Sequence, residues 1–240
     1  MSSLELLAAS SIVAVGALLQ GSVGFGLGML AAPLLVLIDP AFVPAPLLAA
    51  AFALTLLVAY RERRGIDLRG VGWALAGRVP GTLLGATVLA LAPSQASSLL
   101  VGAAVFVAVA LIGSGVSLPH TRAVLIGAGT LSGLMGTTAS IGGPAIAALY
   151  HDATGEKLRG TMSGFFAVGL VLTLSVLAFI GRFGRHELDL AAWLLPGAFT
   201  GYAVSGYVAP VLDRGYTRVA VLTVSALAGL SVIVKALAGG

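Results

Sequence analysis

Apolar runs of about 20 residues, the length that crosses a bilayer, follow one another along almost the whole chain. Of the 240 residues, 58% are hydrophobic and only 9% are charged, whereas a soluble domain carries about 25% charged residues. So few polar side chains cannot cover the surface of a soluble protein of this length. The sequence therefore predicts an all-α polytopic integral membrane protein.

Ten apolar segments can be delimited, and the second and seventh of them are too short for a comfortable crossing. Each of these two adjoins a glycine-rich stretch. The segments lie at about 4–20, 26–38, 41–60, 68–92, 97–116, 121–135, 140–150, 160–181, 188–212 and 217–238.

Two pairs of stretches indicate an internal duplication. The stretch WALAGRVPG (73–81) matches WLLPGAFTG (193–201) in its tryptophan and two glycines at a constant offset of 120. GSVGFGLGMLAAPLL (21–35) resembles GLMGTTASIGGPAIA (133–147), and in both, small residues lead to a proline, Pro33 or Pro144. We expect two homologous halves, 1–118 and 119–240, in a single transmembrane domain.

The basic loop residues favour one of two topologies. If each half is a glycine-broken helical hairpin followed by three crossings, the halves are inverted repeats with both termini outside, and most basic loop residues share the inner side. If each pair of short pieces forms one broken crossing instead, the repeats are parallel with eight crossings. The positive-inside rule fits the inverted arrangement better, so we expect eight to ten membrane segments arranged as inverted repeats.

The glycine-rich stretches predict where a ligand binds. A broken helix inside a bilayer leaves backbone groups unsatisfied at several kcal/mol each, so it persists only where it is buried in protein or lines a cavity. Short, glycine-interrupted segments at corresponding places in two halves are typical of the binding site of a transporter. The alternative for any single glycine, such as Gly28 or Gly143, is close packing between helices.

The second glycine-rich motif, GTTASIGGP, carries hydroxyl groups. Thr137, Thr138 and Ser140 lie beside Gly142 and Gly143, just before a helix expected to start near Pro144. Hydroxyls and helix-start amides together suit an anion that must be held and then released. Gln20 and Ser22 are the corresponding polar residues of the first motif. Each hydroxyl has the alternative of bonding to its own helix backbone.

Arg78 lies several residues inside an apparent crossing, where a charge is costly unless it faces protein, water or an anion. It is expected either to pair with an anionic substrate or to extend to the interface near Arg69. Arg159 is interpreted as an ordinary inner-loop charge, with guarding of an entrance as the alternative. His151 and Asp152 are interpreted as a solvated helix end, with proton relay as the alternative.

The motifs GSVGFGLGMLAAPLL and LSGLMGTTASIGGPAIAALY, followed by LRGTMSGFF, closely resemble the duplicated motifs of the TauE/SafE family of sulfite exporters and organosulfonate permeases. The resemblance spans nearly the whole chain. It implies a multi-pass permease of a bacterial-type inner membrane for a small anion such as sulfite, sulfoacetate or another organosulfonate, working by alternating access. It also implies transport that is coupled to protons or driven by gradients.

The resemblance to the family implies that residues of both motifs form the binding site. In the first motif these residues are Gly21, Ser22, Gly24, Phe25, Gly26 and Gly28. In the second motif they are Gly136, Thr137, Thr138, Ser140, Gly142, Gly143 and Pro144. Many relatives have a more glycine-rich second motif, so the hydroxyls of TTAS are candidates for tuning selectivity.

The sequence does not separate such a permease from two alternatives. An anion channel, or a carrier of carboxylates or other anions with the same fold, would use the same residues. An enzyme is not expected: the chain has no cysteine, no GxSG motif, and its three histidines lie in or next to predicted loops. We expect no cofactor and no metal. The partners expected are the anion and membrane lipid, without nucleic acid, and a homodimer is left open.

Overall fold

The computed structural model describes residues 2–92, 94–115, 118–150, 153, 155–212 and 216–238, and these contain ten α-helices and no strand. The predicted all-helical fold is therefore confirmed, and each predicted apolar segment overlaps one α-helix, although several helices extend beyond the predicted bounds. The helices are α1 (Ser3–Val23), α2 (Leu27–Ile38), α3 (Ala45–Arg61), α4 (Leu68–Leu91), α5 (Ser94–Gly113), α6 (Arg122–Ala139), α7 (Gly143–Ala147), α8 (Gly155–Phe179), α9 (Arg185–Leu212) and α10 (Tyr216–Ala238).

Side-chain caps begin three of these helices. Ser2 and Glu5 form a reciprocal capping box at the start of α1, Asp67 accepts a hydrogen bond from the Gly70 amide at the start of α4, and Thr121 caps α6. Each cap satisfies an amide that has no partner within its own helix.

The described helices differ in whether they are long enough to cross a membrane. By length and composition, three of the described helices, α1, α4 and α8, are long and apolar enough to cross a membrane. The twelve residues of α2 rise only about 18 Å and the five of α7 about 8 Å, against a hydrocarbon core of about 30 Å. The shortness predicted for the second and seventh segments is thus present in the structure.

The main helix contacts cross from one half of the chain to the other. Helix α4 packs along α6, and α1 packs along α9. Helix α3 packs against α8 and α9, α8 also packs against α4, and α5 packs against α10. Neither half therefore forms its main interfaces within itself.

Glycines permit the two closest of these interfaces. A Cβ on Gly77 of α4 would overlap the carbonyl oxygen of Ile126, and one on Gly81 would overlap that of Thr130. On the other interface, Gly197 and Gly201 of α9 lie in the same way against the carbonyl groups of α1, at Ser10 and Ala14. The glycines matched in sequence at an offset of 120 therefore make matching contacts, as small-residue packing between membrane helices requires.

Candidate functional site

In each glycine-rich motif one helix ends and the next begins within a few residues, and we call this place a break. Helix α1 ends at Gly24, whose φ of 100° is left-handed and whose N–H donates to the Gln20 carbonyl at 2.8 Å. Helix α6 ends at Ser140, with a φ of 61° and an N–H that donates to the Gly136 carbonyl at 3.0 Å. Gln20 and Gly136 are 116 positions apart, as are Gly24 and Ser140. Left-handed caps of this kind end helices and satisfy their last carbonyl groups.

The two prolines of the motifs do not occupy matching positions in these breaks. Pro144 is the second residue of α7, where its missing N–H costs nothing. Pro33 is the seventh residue of α2 and lies inside that helix. The sequence comparison paired them only by allowing gaps, whereas the caps align without a gap and leave the prolines out of register.

The two breaks touch each other. Gly28, near the start of α2, lies against the carbonyl group of Ser140, and a Cβ on Gly28 would overlap it. Gly143, at the start of α7, lies against Phe25, whose Cβ would be 3.0 Å from an added Cβ. Residues more than 100 positions apart in the chain thus form one structural unit.

A cavity of about 40 Å³ lies where the breaks meet, which is room for a few water molecules or a small ligand. Predicted site residues that line it are Gln20, Phe25, Gly26, Gly28, Arg78, Gly136, Ser140, Gly142, Gly143 and Pro144. Helices α3 and α8 complete its wall, with Leu47, Leu48, Ala51 and Thr55 from α3 and Phe166 and Leu170 from α8. The remaining lining residues are Leu27, Met29 and Ile141.

Arg78 is the charged group of this cavity. Its side chain comes from α4 and is only 1% exposed, so it does not extend to the interface near Arg69. One terminal nitrogen donates to the Ser132 hydroxyl at 3.1 Å and the other to the Thr173 hydroxyl at 3.4 Å, while Nε has no partner. Within the described part of the chain, no carboxylate forms an ion pair with Arg78.

Two aromatic rings and a glycine hold the guanidinium in place. Its central carbon lies 4.9 Å from the ring centre of Phe165 and 5.6 Å from that of Phe166. A Cβ on Gly169 would overlap the side chain at Nε, so this position in α8 must be small. Aromatic faces and hydroxyl groups stabilise a cation only in part, and a buried charge without a counter-charge is costly. The arrangement is therefore suited to pairing with an anion.

Five predicted site residues do not line the cavity. Ser22 donates to the Ser205 carbonyl at 3.0 Å, and Gly21 packs against Ser205. Gly24 lies against the backbone of Arg159. Thr138 donates to the Leu134 carbonyl of its own helix at 2.8 Å, and Thr137 packs against Gly85 of α4. These five residues therefore shape or support the breaks.

The end of α1 is held by charged side chains that the sequence did not assign to the site. Arg159 donates to the Ser22 carbonyl at 3.2 Å, and Arg61 donates to the Gly21 carbonyl. Both arginines also contact Glu62, at 3.1 and 3.0 Å. Arg159 is therefore a largely buried, ion-paired residue that caps the negative end of α1 and not an ordinary solvated loop charge. His151 and Asp152 lie outside the described residues.

The sequence did not identify the residues that hold Arg78. Ser132 precedes Gly136 by four residues, and Thr173 follows Gly169 by four, so each pair shares a helix face. This spacing is the signal available in the sequence, but it occurs often in a chain with 33 glycines. Only the packing of α4 against α6 and α8 distinguishes these positions from the others.

Comparison with known proteins gives a match to a protein family. No curated protein and no solved structure matches the chain. The sequence profile of the family described as sulfite exporter TauE/SafE matches residues 8–232. Since this match covers nearly the whole chain, and since long apolar helices agree with it, the protein is a membrane protein that belongs to the sulfite exporter TauE/SafE transporter family.

Proposed function

We propose that the protein is a secondary transporter for a small anion, such as sulfite, sulfoacetate or another organosulfonate. The single observation that carries this proposal is Arg78: a buried cation with no carboxylate partner among the described residues, on the wall of a cavity between two helix breaks. An anion in the cavity would supply the missing counter-charge. Family membership supports a transported sulfur oxyanion or sulfonate.

The contacts between halves support inverted repeats. Helix α6 begins beside the start of α4, where Arg122 lies 5.0 Å over the Trp73 ring. Helix α1 instead runs beside α9, which begins at the opposite end of the bundle, where Arg182 donates to the Leu89 carbonyl near the end of α4. The two broken hairpins therefore open towards opposite ends, as inverted repeats require.

Basic residues indicate the orientation. The end of the bundle that holds the α3–α4 connection and the start of α8 carries most of them, and we propose that it faces the cytoplasm of a bacterial-type inner membrane. These residues are Arg61, Arg63, Arg64, Arg69, Arg122, Lys157 and Arg159. The residues near the opposite end are Arg182, Arg185 and Lys235.

Alternating access would require the halves to move against each other. The cluster of Arg61, Glu62 and Arg159 joins α3, α8 and the end of α1 at the basic end. Arg61 also donates to the Ser205 hydroxyl of α9 at 3.0 Å. Because these contacts join residues of both halves, opening the cavity towards the basic end would separate some of them.

Transport into proteoliposomes tests the proposal. We expect saturable sulfite or sulfonate transport with counterflow by the wild type, and its loss in Arg78→Gln, with part of it retained in Arg78→Lys, which keeps the charge. Arg64→Gln serves as the matched control, because Arg64 is exposed at the basic end. Normal transport by Arg78→Gln would contradict the site, and flux without counterflow would favour an anion channel.

A further inference from the structure

We infer that the site selects anions with one negative charge over anions with two. This inference rests on the proposed function and narrows its substrate class to bisulfite and monosulfonates, against sulfite dianion, sulfate and sulfoacetate dianion. Among the described residues that line the cavity, Arg78 alone carries a formal charge. A monoanion beside it makes the loaded site neutral, whereas a dianion leaves a net negative charge in the membrane interior.

The partial charges of the helix ends around the cavity do not change the net charge of the loaded site. Helix α2 begins at the cavity wall, where its first amides lack partners within the helix. Helix α7 also begins there, at Gly143, but with only five residues it adds a small partial charge. Helix α6 ends at the same place and is capped by Ser140. The start of a helix carries a partial positive charge and its end a partial negative charge of similar size, so these contributions offset each other.

The nearest basic cluster does not supply a second charge. Arg61 and Arg159 bind carbonyl groups at the end of α1 and share the carboxylate of Glu62, and neither lines the cavity. Two arginines against one carboxylate leave an excess positive charge, which is partly offset by the negative end of α1 and lies outside the cavity wall. A dianion would meet only the guanidinium of Arg78.

The cost of removing the anion from water increases the preference for an anion with one charge. The cavity wall is largely apolar, with residues such as Leu47, Leu170 and Phe166. The cost of moving an ion from water into such surroundings grows with the square of its charge, whereas its attraction to one cation grows only in proportion to the charge. Doubling the charge therefore costs more than it gains.

Sulfite itself provides the test, because bisulfite loses its one remaining proton near neutral pH and becomes the dianion. We would measure the Kd of sulfite for the purified full-length protein between about pH 6 and about pH 8 and expect a rise approaching tenfold for each pH unit above that ionisation. Methanesulfonate keeps one charge throughout this range and should bind with an unchanged Kd. The side chains that α6 and α8 present to Arg78 are Ser132, Thr173, Phe165 and Phe166, and none of them titrates.

The variants and competing anions complete the experiment. Arg78→Gln should lose methanesulfonate binding, and Arg78→Lys should retain part of it. Arg78→Gln should stay folded, because losing a buried, unpaired charge removes a free-energy cost from the folded state. A sulfite Kd that is flat or falls as pH rises, or a sulfate Kd equal to that of methanesulfonate, would overturn the charge preference and leave the transporter proposal in place. If none of these anions binds, both proposals fail.

Discussion

The backbone of Gly28, in the second helix, lies directly against the carbonyl oxygen of Ser140, the residue that ends the sixth helix. This contact brings together two helix breaks that lie in different halves of the chain. Both residues also line the cavity that contains Arg78. The geometry of the candidate site therefore depends on how closely the two breaks approach.

Gly28→Ala should separate the two breaks. The added Cβ would overlap the Ser140 carbonyl group, which belongs to the backbone and cannot rotate away. We expect a loss of about 1–3 kcal/mol in stability, as for other overpacked sites, together with weaker anion binding. The measurement is the thermal unfolding of the purified protein in detergent, with and without anion. Gly127→Ala is the control, because nothing lies within 4 Å of its added Cβ.

Gly77→Ala and Gly197→Ala should destabilise the protein to a similar extent. Each added Cβ would overlap a carbonyl oxygen of the neighbouring helix, at Ile126 or at Ser10, so the two interfaces should lose stability in the same way. Gly72→Ala, in the same helix as Gly77, meets no atom within 4 Å and should have little effect. Unfolding temperatures of the three variants check this. A large difference between Gly77→Ala and Gly197→Ala would argue against equivalent interfaces.

Gly169→Ala should weaken anion binding by displacing Arg78. The added methyl group would occupy the space of Nε, so the guanidinium could no longer face the cavity in its present position. We expect the Kd to rise about thirtyfold or more, since disturbing a buried charge pair costs about 2–5 kcal/mol. In the same helix, Gly164→Ala meets only the side chain of Ile66, at 3.1 Å, and should bind the anion normally. Equal Kd values for the two variants would contradict the role of Gly169.

Tyr150→Phe should lower stability at neutral pH but much less in acid. The Tyr150 hydroxyl donates to Asp67 at 3.0 Å. Burial opposes ionisation of Asp67, but hydrogen bonds from Gly70 and Tyr150, together with the positive charge of Lys157, outweigh it and hold the pKa of this carboxyl below its ordinary value of 3.8. A lowered pKa contributes stability that is present above the ordinary value and is lost as pH falls through the folded-state pKa.

The measurement for Tyr150→Phe is the difference in unfolding temperature from the wild type as a function of pH. We expect a difference equivalent to about 1 kcal/mol at neutral pH, the usual contribution of one hydrogen bond, which shrinks below about pH 4 as Asp67 takes up a proton. A difference that stays constant down to acid pH would show that Tyr150 acts by packing alone, for example through its edge contact with His120.

Local sequence was enough to predict the helices and the glycine-rich stretches in which two of them end. Glycine density marked the breaks, and Gly26, Gly28 and Gly142 all lie at the cavity. Local sequence did not predict which hydroxyl residues face the cavity. Ser140 lines it, as does Gly136, while Thr137 and Thr138 do not. Successive residues of a helix are rotated by about 100°, so only some of them share a face.

By itself, the sequence determined that the chain is helical and apolar enough for a membrane, and that helices end in its two glycine-rich stretches, since these properties depend on residues close together in the chain. The tertiary structure decided which helices meet. Helix α4 packs on α6 and α8, so that Arg78 bonds to Ser132 and Thr173, 54 and 95 positions away. Whether a buried charge has a partner depends on such long-range packing, and no local pattern encodes it.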